Sequence, residues 1–417
     1  MDKLLELMFE RNWKEDLERS WDKDLIDVAE ALVSPEARAE LYTAIKNRTY
    51  QVMPPRECKI PKDNGDYRIV YICSDIDRVL LRVINNLLLE LCPEFVHKSC
   101  KSYQKGLSTQ KTVKEVVRNI NNTSSREIGL KVDLSKYFDS VPIRFIDGVF
   151  DKIEDKFGKS MVIELLRKFY HQDLCENLDG YLVQHYFSLG QGVATASFLA
   201  NAVLFNIDEE MSKLDIYYVR YSDDLLLIGK DWQKAKARLE ELLAEKELIL
   251  NPKKVEVLTK DNFFKFLGFS IRGTEISLSK NRIKTFQKEI ETRTIKTKNS
   301  YEKCVKDVMN YLYGGLNSEF SWATACLTTI NVKQDIQTLN KFVMDCLRAV
   351  KTGRRKLYGL GYEPNKKAGV ITSGIGQNVK SNKDRTDKIL KGYLSLNKAR
   401  NAMLCSDEVF KSLLRSV

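Results

Sequence analysis

Three features of the sequence predict an α+β fold with an antiparallel sheet. The first is a hairpin signal: two β-rich runs, Ile216-Tyr217-Tyr218-Val219 and Leu225-Leu226-Leu227-Ile228-Gly229, flank the polar turn Tyr221-Ser222-Asp223-Asp224. The second is another apolar strand, Leu130-Lys131-Val132-Asp133, which also ends in a carboxylate. The third is the helical character of the chain from residue 279 onward.

The elements follow in order. Residues 2–47 read as two or three amphipathic helices, one of them opened by Ser34-Pro35 with Glu36 behind it. Residues 57–72 alternate as two strands around Asp63-Asn64-Gly65-Asp66, a hairpin turn sequence. Helical patterns span 75–92 and 108–122, a strand 128–133, and further helices 142–155 and 159–170. A strand is expected at 181–188, and one helix at 194–213 opens just after Gly190-Gln191-Gly192. Strands at 215–221 and 224–229, a helix at 232–247 and short strands at 254–258, 264–271 and 275–278 come next. A polar Gly/Lys/Asn-rich stretch at 363–385 interrupts the later helices as a loop.

Composition bounds the function. The chain has 417 residues, 43% hydrophobic and 30% charged, which suits a globular protein of two or three domains. No run approaches the ~20 apolar residues of a membrane span, so no membrane association is expected. The N-terminus, Met1-Asp2-Lys3-Leu4-Leu5-Glu6, lacks the apolar core of a signal peptide. Nine cysteines include no Cys-X-X-Cys pair, which points to reduced thiols in a cytoplasmic protein rather than to zinc or disulfides. The net charge of +11 is uneven: residues 279–417 hold 27 Lys and Arg against 12 Asp and Glu, and the rest of the chain holds 41 against 45. A basic C-terminal third suits contact with a phosphate backbone, the plainer reading being a solvated helical face.

The acidic turn carries the chemistry. Two adjacent carboxylates repel, and their ionisation is costly unless a cation neutralises them. Hard oxygen donors of this kind suit Mg²⁺. Alone, such a pair also fits an ordinary surface turn. Asp133 alters that reading, because strand ends from distant parts of a chain converge in one sheet. Asp133 and Asp223 could then hold two ions between them, with Asp224 close by. Two ions roughly 3.5–4 Å apart activate an attacking oxygen and stabilise a leaving one.

These residues resemble the reverse transcriptases, in the motif order of that family. Asp133 to Asp139 is similar to motif A, Leu189 to Asn201 to motif B, and Tyr221 to Asp224 to motif C in its Tyr-X-Asp-Asp form. Leu250-Asn251-Pro252-Lys253-Lys254 resembles motif D, and Phe266-Leu267-Gly268-Phe269 resembles motif E, the primer grip. Ile60-Pro61-Lys62 with Arg68, then Asp77-Arg78, and Ser102-Tyr103-Gln104-Lys105-Gly106 resemble bacterial fingers motifs. The likeness covers roughly residues 57–270.

The resemblance implies a right-hand polymerase, RNA-directed and DNA-making. An N-terminal helical segment (1–50) would precede fingers and palm (51–278), the palm lying at about 126–144 and 191–270. A basic helical thumb and extension (279–417) would follow. Asp133 and Asp223 would bind two Mg²⁺ ions with the Leu134 carbonyl, and Asp224 would be a ligand or a close acid. Phe138 would be the aromatic gate that clashes with a 2′-hydroxyl and so selects dNTPs. Lys62 and Arg68 would grip the triphosphate, and Gln191 would lie near nucleotide and template. Lys254, or Lys253 if the alignment slips by one, would be the motif D proton donor. Phe266, Leu267 and Gly268 would form the primer grip, or simply a core strand. Asp139 is expected to brace its turn.

Motif B departs from the group II intron and retron pattern: Gly190 stands where Pro is expected, and Ala196-Ser197-Phe198 lacks the second Pro. The departures resemble the bacterial defence-associated reverse transcriptases of the abortive-infection and "unknown group" kind, several of which work with a structured non-coding RNA. The implied partners are that RNA as template, dNTPs and the DNA product. The candidate RNA-holding surface includes Arg354, Arg355, Lys356, Lys366 and Lys367, with Tyr311, Tyr313 and Tyr358 stacking nearby or packing. An intron-type maturase and a non-catalytic RNA-binding scaffold remain as alternatives. The oligomeric state stays open.

Overall fold

The computed structural model describes residues 2–18, 22–62, 65–104, 106–123, 126–314, 321–352 and 390–416. The chain divides into two compact units, Met1–Ser108 with Thr123–Leu258, and Thr109–Asn122 with Thr259–Val417.

The first unit begins with four short helices, Lys3–Glu10, Trp13–Glu18, Ile26–Leu32 and Pro35–Lys46, rather than two or three. Their apolar stripes, including Leu4, Leu5, Met8, Trp13 and Leu17, enter the main core. Asp2 caps the first helix by accepting from the Leu5 amide (3.1 Å). It also accepts from Ser160 Oγ at 2.8 Å and the Met161 amide at 2.6 Å, tying the N-terminus to helix Met161–His171.

Two sheets follow. Strands β1 (Arg56–Pro61) and β2 (Tyr67–Ile72) form the expected antiparallel hairpin, from Arg56↔Ile72 to Pro61↔Tyr67. Strand β3 (Glu127–Asp133) belongs to the second sheet, whereas β4 (Leu174–Glu176) and β5 (Leu182–Gln184) extend the first, in the order β2-β1-β4-β5. The strand expected over 181–188 is thus much shorter. Beyond Gln184 the chain leaves the sheet, and Tyr186 OH and Ser188 Oγ donate instead to the Val141 carbonyl. Strand β4 is an addition to the expected order; three residues are too few to carry a periodic signal.

The second sheet adds β6 (Tyr217–Tyr221), β7 (Asp224–Ile228) and β8 (Glu256–Thr259), in the order β6-β7-β3-β8. Val132 and the run Leu225 to Ile228 are buried, so the middle of this sheet is core. The helix expected over 194–213 breaks at Leu204 (φ −92°, ψ 1°) into Ala196–Val203 and Phe205–Ser212, and the second piece turns Asp208 into the interior. Helices Asp75–Leu91, Ile143–Phe157 and Trp232–Ala244 complete the unit.

The second unit contains helix Thr109–Asn121 and a three-stranded sheet of β9 (Phe264–Phe266), β10 (Phe269–Arg272) and β11 (Glu275–Leu278), ordered β11-β10-β9. The single strand expected at 264–271 is therefore a hairpin. Leu267 (φ 50°) and Gly268 (φ 80°) form its turn, and two successive left-handed residues reverse the chain. Helices Lys280–Arg293, Tyr301–Tyr313, Lys333–Thr352, Leu396–Cys405 and Asp407–Arg415 follow, with a π-helical turn at Ala323–Leu327. Ser279, Ser300, Ser395 and Ser406 each cap a helix with the side-chain oxygen. Tyr313 packs inside this unit, its hydroxyl donating to the Leu394 carbonyl at 2.7 Å. Among the described residues no helix is long and apolar enough to cross a membrane. None of the nine cysteines is paired. Arg354, Arg355, Lys356, Tyr358, Lys366, Lys367 and the 363–385 loop lie outside the described residues.

Candidate active site

Sheet register brings the predicted acids together. β3 and β7 are antiparallel with Asp133 opposite Asp224, and β6 pairs Tyr221 with Asp224, so Ser222 and Asp223 form the two-residue hairpin turn. The Leu134 amide donates to the Asp223 carbonyl at 3.1 Å, fixing the turn against the end of β3. Asp133 is buried. Burial raises its carboxyl above the usual range and Asp224 adds to this, while Lys254 draws it back. Asp223 is raised as well, by burial first and then by the Asp133 charge, its own backbone amide offsetting part of this.

Lys254 arrives by main-chain pairing. Leu134 and Leu250 form an antiparallel bridge, the Ser135 amide donates to the Ile249 carbonyl, and the Asn251 amide to the Asp133 carbonyl (2.8 Å). Asn251 then caps a short 3₁₀ turn, Pro252–Lys254, through the Lys253 amide. The result sets Lys254 Nζ 2.7 Å from Asp133 Oδ2. Burial disfavours the ammonium, but the bond to Asp133 outweighs it and the Lys254 pKa is raised. Lys131, two residues before Asp133 on the same strand face, holds Asp224 Oδ1 at 3.5 Å. Lys253 is exposed and takes no part in this cluster.

The donor set suits a divalent cation: the Asp133 and Asp223 carboxyls are both raised by burial and by a neighbouring acid, so even with Lys254 against Asp133 further positive charge would ease their ionisation. Among the described residues no three His, Cys, Asp or Glu side chains close around one point to enclose an ion. The two lysines occupy part of the carboxylate capacity instead.

The motif A and motif B segments meet at the backbone. Phe138 lies in the turn Tyr137–Ser140, half-buried, and its carbonyl accepts from the Gly190 amide at 3.2 Å. The Gln191 carbonyl accepts from the Tyr71 amide at 2.7 Å, joining this loop to β2. Gly192 (φ 100°) is required there, because a Cβ would stand 2.8 Å from the Tyr71 carbonyl oxygen. The Gln191 Oε1 atom is buried without a hydrogen-bond partner. Lys62 and Arg68 are exposed on the β1–β2 hairpin. Their charges reach Asp139, whose carboxyl is raised by burial and lowered by Lys136, His185, Arg68 and Lys62. Phe266, Leu267 and Gly268 are placed at the β9–β10 turn of the second unit.

Sequence reasoning missed a buried polar cluster behind the acidic turn: Asp208, Arg220 and Asn201, with Ser102, which the fingers motifs include without assigning it a role. Arg220 and Asp208 are fully buried and paired at 2.6 Å. The available signal was a lone arginine inside the apolar run of β6.

Comparison with known proteins identifies the family. A family model described as reverse transcriptase (RNA-dependent DNA polymerase) matches residues 60–271. The chain belongs to the reverse transcriptase family. Its fold is the α+β, right-hand polymerase type expected from the sequence. Among individual proteins, the Retron Ec48 reverse transcriptase of Escherichia coli is 27% identical over 214 residues, which are 48% of this chain and 48% of that protein. The chain thus spans about half the length of the curated relative it matches. Solved structures that resemble it include apo telomerase from Candida tropicalis (TM-score 0.47, 12% identity, 92% of this chain and 74% of that one). Telomerase from Candida albicans in complex with a TWJ fragment of telomeric RNA matches at a TM-score of 0.42 with 13% identity, covering 91% and 70%.

Proposed function

We propose that the protein is an RNA-directed DNA polymerase that adds deoxynucleotides by two-metal nucleotidyl transfer. The observation that carries this reading is the register that sets Asp133 opposite Asp224 and beside the Asp223 turn in a chain of the reverse transcriptase family. Asp133 and Asp223 would hold two Mg²⁺ ions with the Leu134 carbonyl, Asp224 as a further ligand or neighbouring acid. When bound, the ions supply charge neutralisation and a lowered pKa at the attacking hydroxyl. The chain's own groups do the rest. Lys254, held protonated beside Asp133, is positioned to give a proton to the departing pyrophosphate. Lys62 and Arg68 suit the triphosphate, Gln191 the base-pairing side, and Phe138 the ribose face, where its ring disfavours a 2′-hydroxyl. Phe266, Leu267 and Gly268 are the proposed primer grip, with fingers and palm proposed over 51–278 and a helical thumb and extension over 279–417. Positioning and charge neutralisation supply most of the rate, and no covalent enzyme intermediate is needed.

The template we propose is a structured non-coding RNA held partly by Arg354, Arg355 and Lys356, with a role in antiphage defence in the cytoplasm. The motif departures at Gly190 and Ala196-Ser197-Phe198 and the basic C-terminal third support this. The test is dNTP incorporation, with sequencing of co-purified nucleic acid, for the wild type and for Asp223→Ala/Asp224→Ala. The double variant should fold, retain RNA and make no DNA. Incorporation by that variant would refute the assignment, and RNA without DNA in the wild type would favour a scaffold.

A further inference from the structure

We propose that Ser102, Asn201, Asp208 and Arg220 are positioning residues that set the Asp223 turn from the protein interior without meeting substrate. This rests on the polymerase reading above. All four are fully buried. Arg220 forks onto Asp208, with Nε to Oδ1 at 2.8 Å and Nη2 to Oδ2 at 2.6 Å, while Nη1 donates to the Ser222 carbonyl at 3.1 Å. The Ser222 amide donates to Ser102 Oγ at 2.9 Å. The residue directly before Asp223 is therefore held at both its amide and its carbonyl. Asn201 closes the circuit: its Oδ1 accepts from Ser102 Oγ (3.0 Å) and its Nδ2 donates to the Ser102 carbonyl (2.9 Å). Tyr218 OH steadies Asp208 at 2.8 Å.

A second observation says why such a device is present. Ser222 has φ 59°, the left-handed backbone that a two-residue hairpin turn demands and that a non-glycine residue adopts at a cost its surroundings must offset. A buried ion pair is a poor source of stability, since apolar packing serves as well. Here the pair has a directional use: the planar guanidinium grips Asp208 with two nitrogens and aims the third at the turn, which an ammonium cannot do. Ser102 belongs to a segment far from Arg220 in sequence, so two parts of the chain hold the backbone on both sides of one residue. The expected consequence is a fixed separation between Asp223 and Asp133.

Ser102→Ala and Arg220→Lys separate this role from plain stability. Arg220→Lys keeps a cation beside Asp208 and loses the reach to Ser222; Ser102→Ala removes the acceptor of the Ser222 amide. Using the full chain, deuterium exchange is followed by mass spectrometry over peptides covering Tyr217–Ile228, alongside dTTP incorporation on oligo(dT)-primed poly(rA). Both variants should exchange faster there and lose roughly ten- to a hundredfold in kcat with KM for dTTP unchanged, because misplacement of about 1 Å has that effect. Each variant leaves a buried polar group short of a partner, so melting temperatures should fall somewhat, but exchange measured well below them should speed up over this hairpin and not in the rest of the core. Unchanged exchange, or wild-type kcat in both variants, would overturn the inference, as would a kcat loss that merely tracks a fall in melting temperature. A wild-type protein that incorporates no dNTP on this primer–template or on its co-purified RNA would refute the polymerase reading and with it any role in catalysis, while the exchange arm would still decide whether these residues hold the turn.

Discussion

Burial, and then the neighbouring Asp133 charge, raises the Asp223 carboxyl above its ordinary value of 3.8. A carboxyl that ionises less readily folded than unfolded makes the folded state bind its proton more tightly, so ionisation destabilises the fold. That penalty is complete above the raised folded value, shrinks as pH falls through it, and is gone below 3.8. Asp223→Asn should therefore raise the melting temperature at pH 7 while stopping synthesis, and the gain should vanish as pH falls toward 3.8. Scanning calorimetry across that range checks it; equal melting temperatures at pH 7 would mean the charge is already neutralised in the folded protein. The acid is retained at a cost to stability, as sites shaped by function are.

Among elements, the motif B loop and β2 are matched to each other at one point. Gly192→Ala would press a Cβ against the Tyr71 carbonyl in a backbone region that L-residues avoid, and should cost about 1–3 kcal/mol. Chemical denaturation measures this, and a stability equal to wild type would show that the loop can give way. The pairing of Asp133 with the Asp223 turn was legible in the sequence, because apolar β-rich runs from distant parts of the chain end in acids and such strands meet in one buried sheet. The helix over 194–213 was half legible: its apolar pattern runs through Leu204, and the break serves the tertiary contact between Asp208 and Arg220, which no local periodicity encodes. Leu267-Gly268 hid its turn inside an apolar run, since a leucine at positive φ has no compositional mark. The Arg220 cluster was illegible as a unit because its members come from four separate segments.

At the scale of the molecule, charge is segregated, with 27 basic against 12 acidic residues in 279–417. If Arg354 and Arg355 meet RNA phosphates, Arg354→Glu/Arg355→Glu should weaken RNA binding. The plot of log affinity against log salt should flatten by about 1.5–2, each arginine accounting for one neutralised phosphate. Filter binding at several ionic strengths reads both, and an unchanged slope would remove these residues from the RNA surface. A different whole-molecule property follows from the hydrogen bond between the Tyr71 amide and the Gln191 carbonyl. Strand β2 is the outer strand of its sheet, and an open strand edge recruits other chains. The nucleotide-side loop occupies that edge at Tyr71, so the segment proposed to meet substrate also takes up one of the strand's open pairing positions. Substitutions that free this loop would be expected to show first as aggregation during expression, before any change in catalysis could be measured.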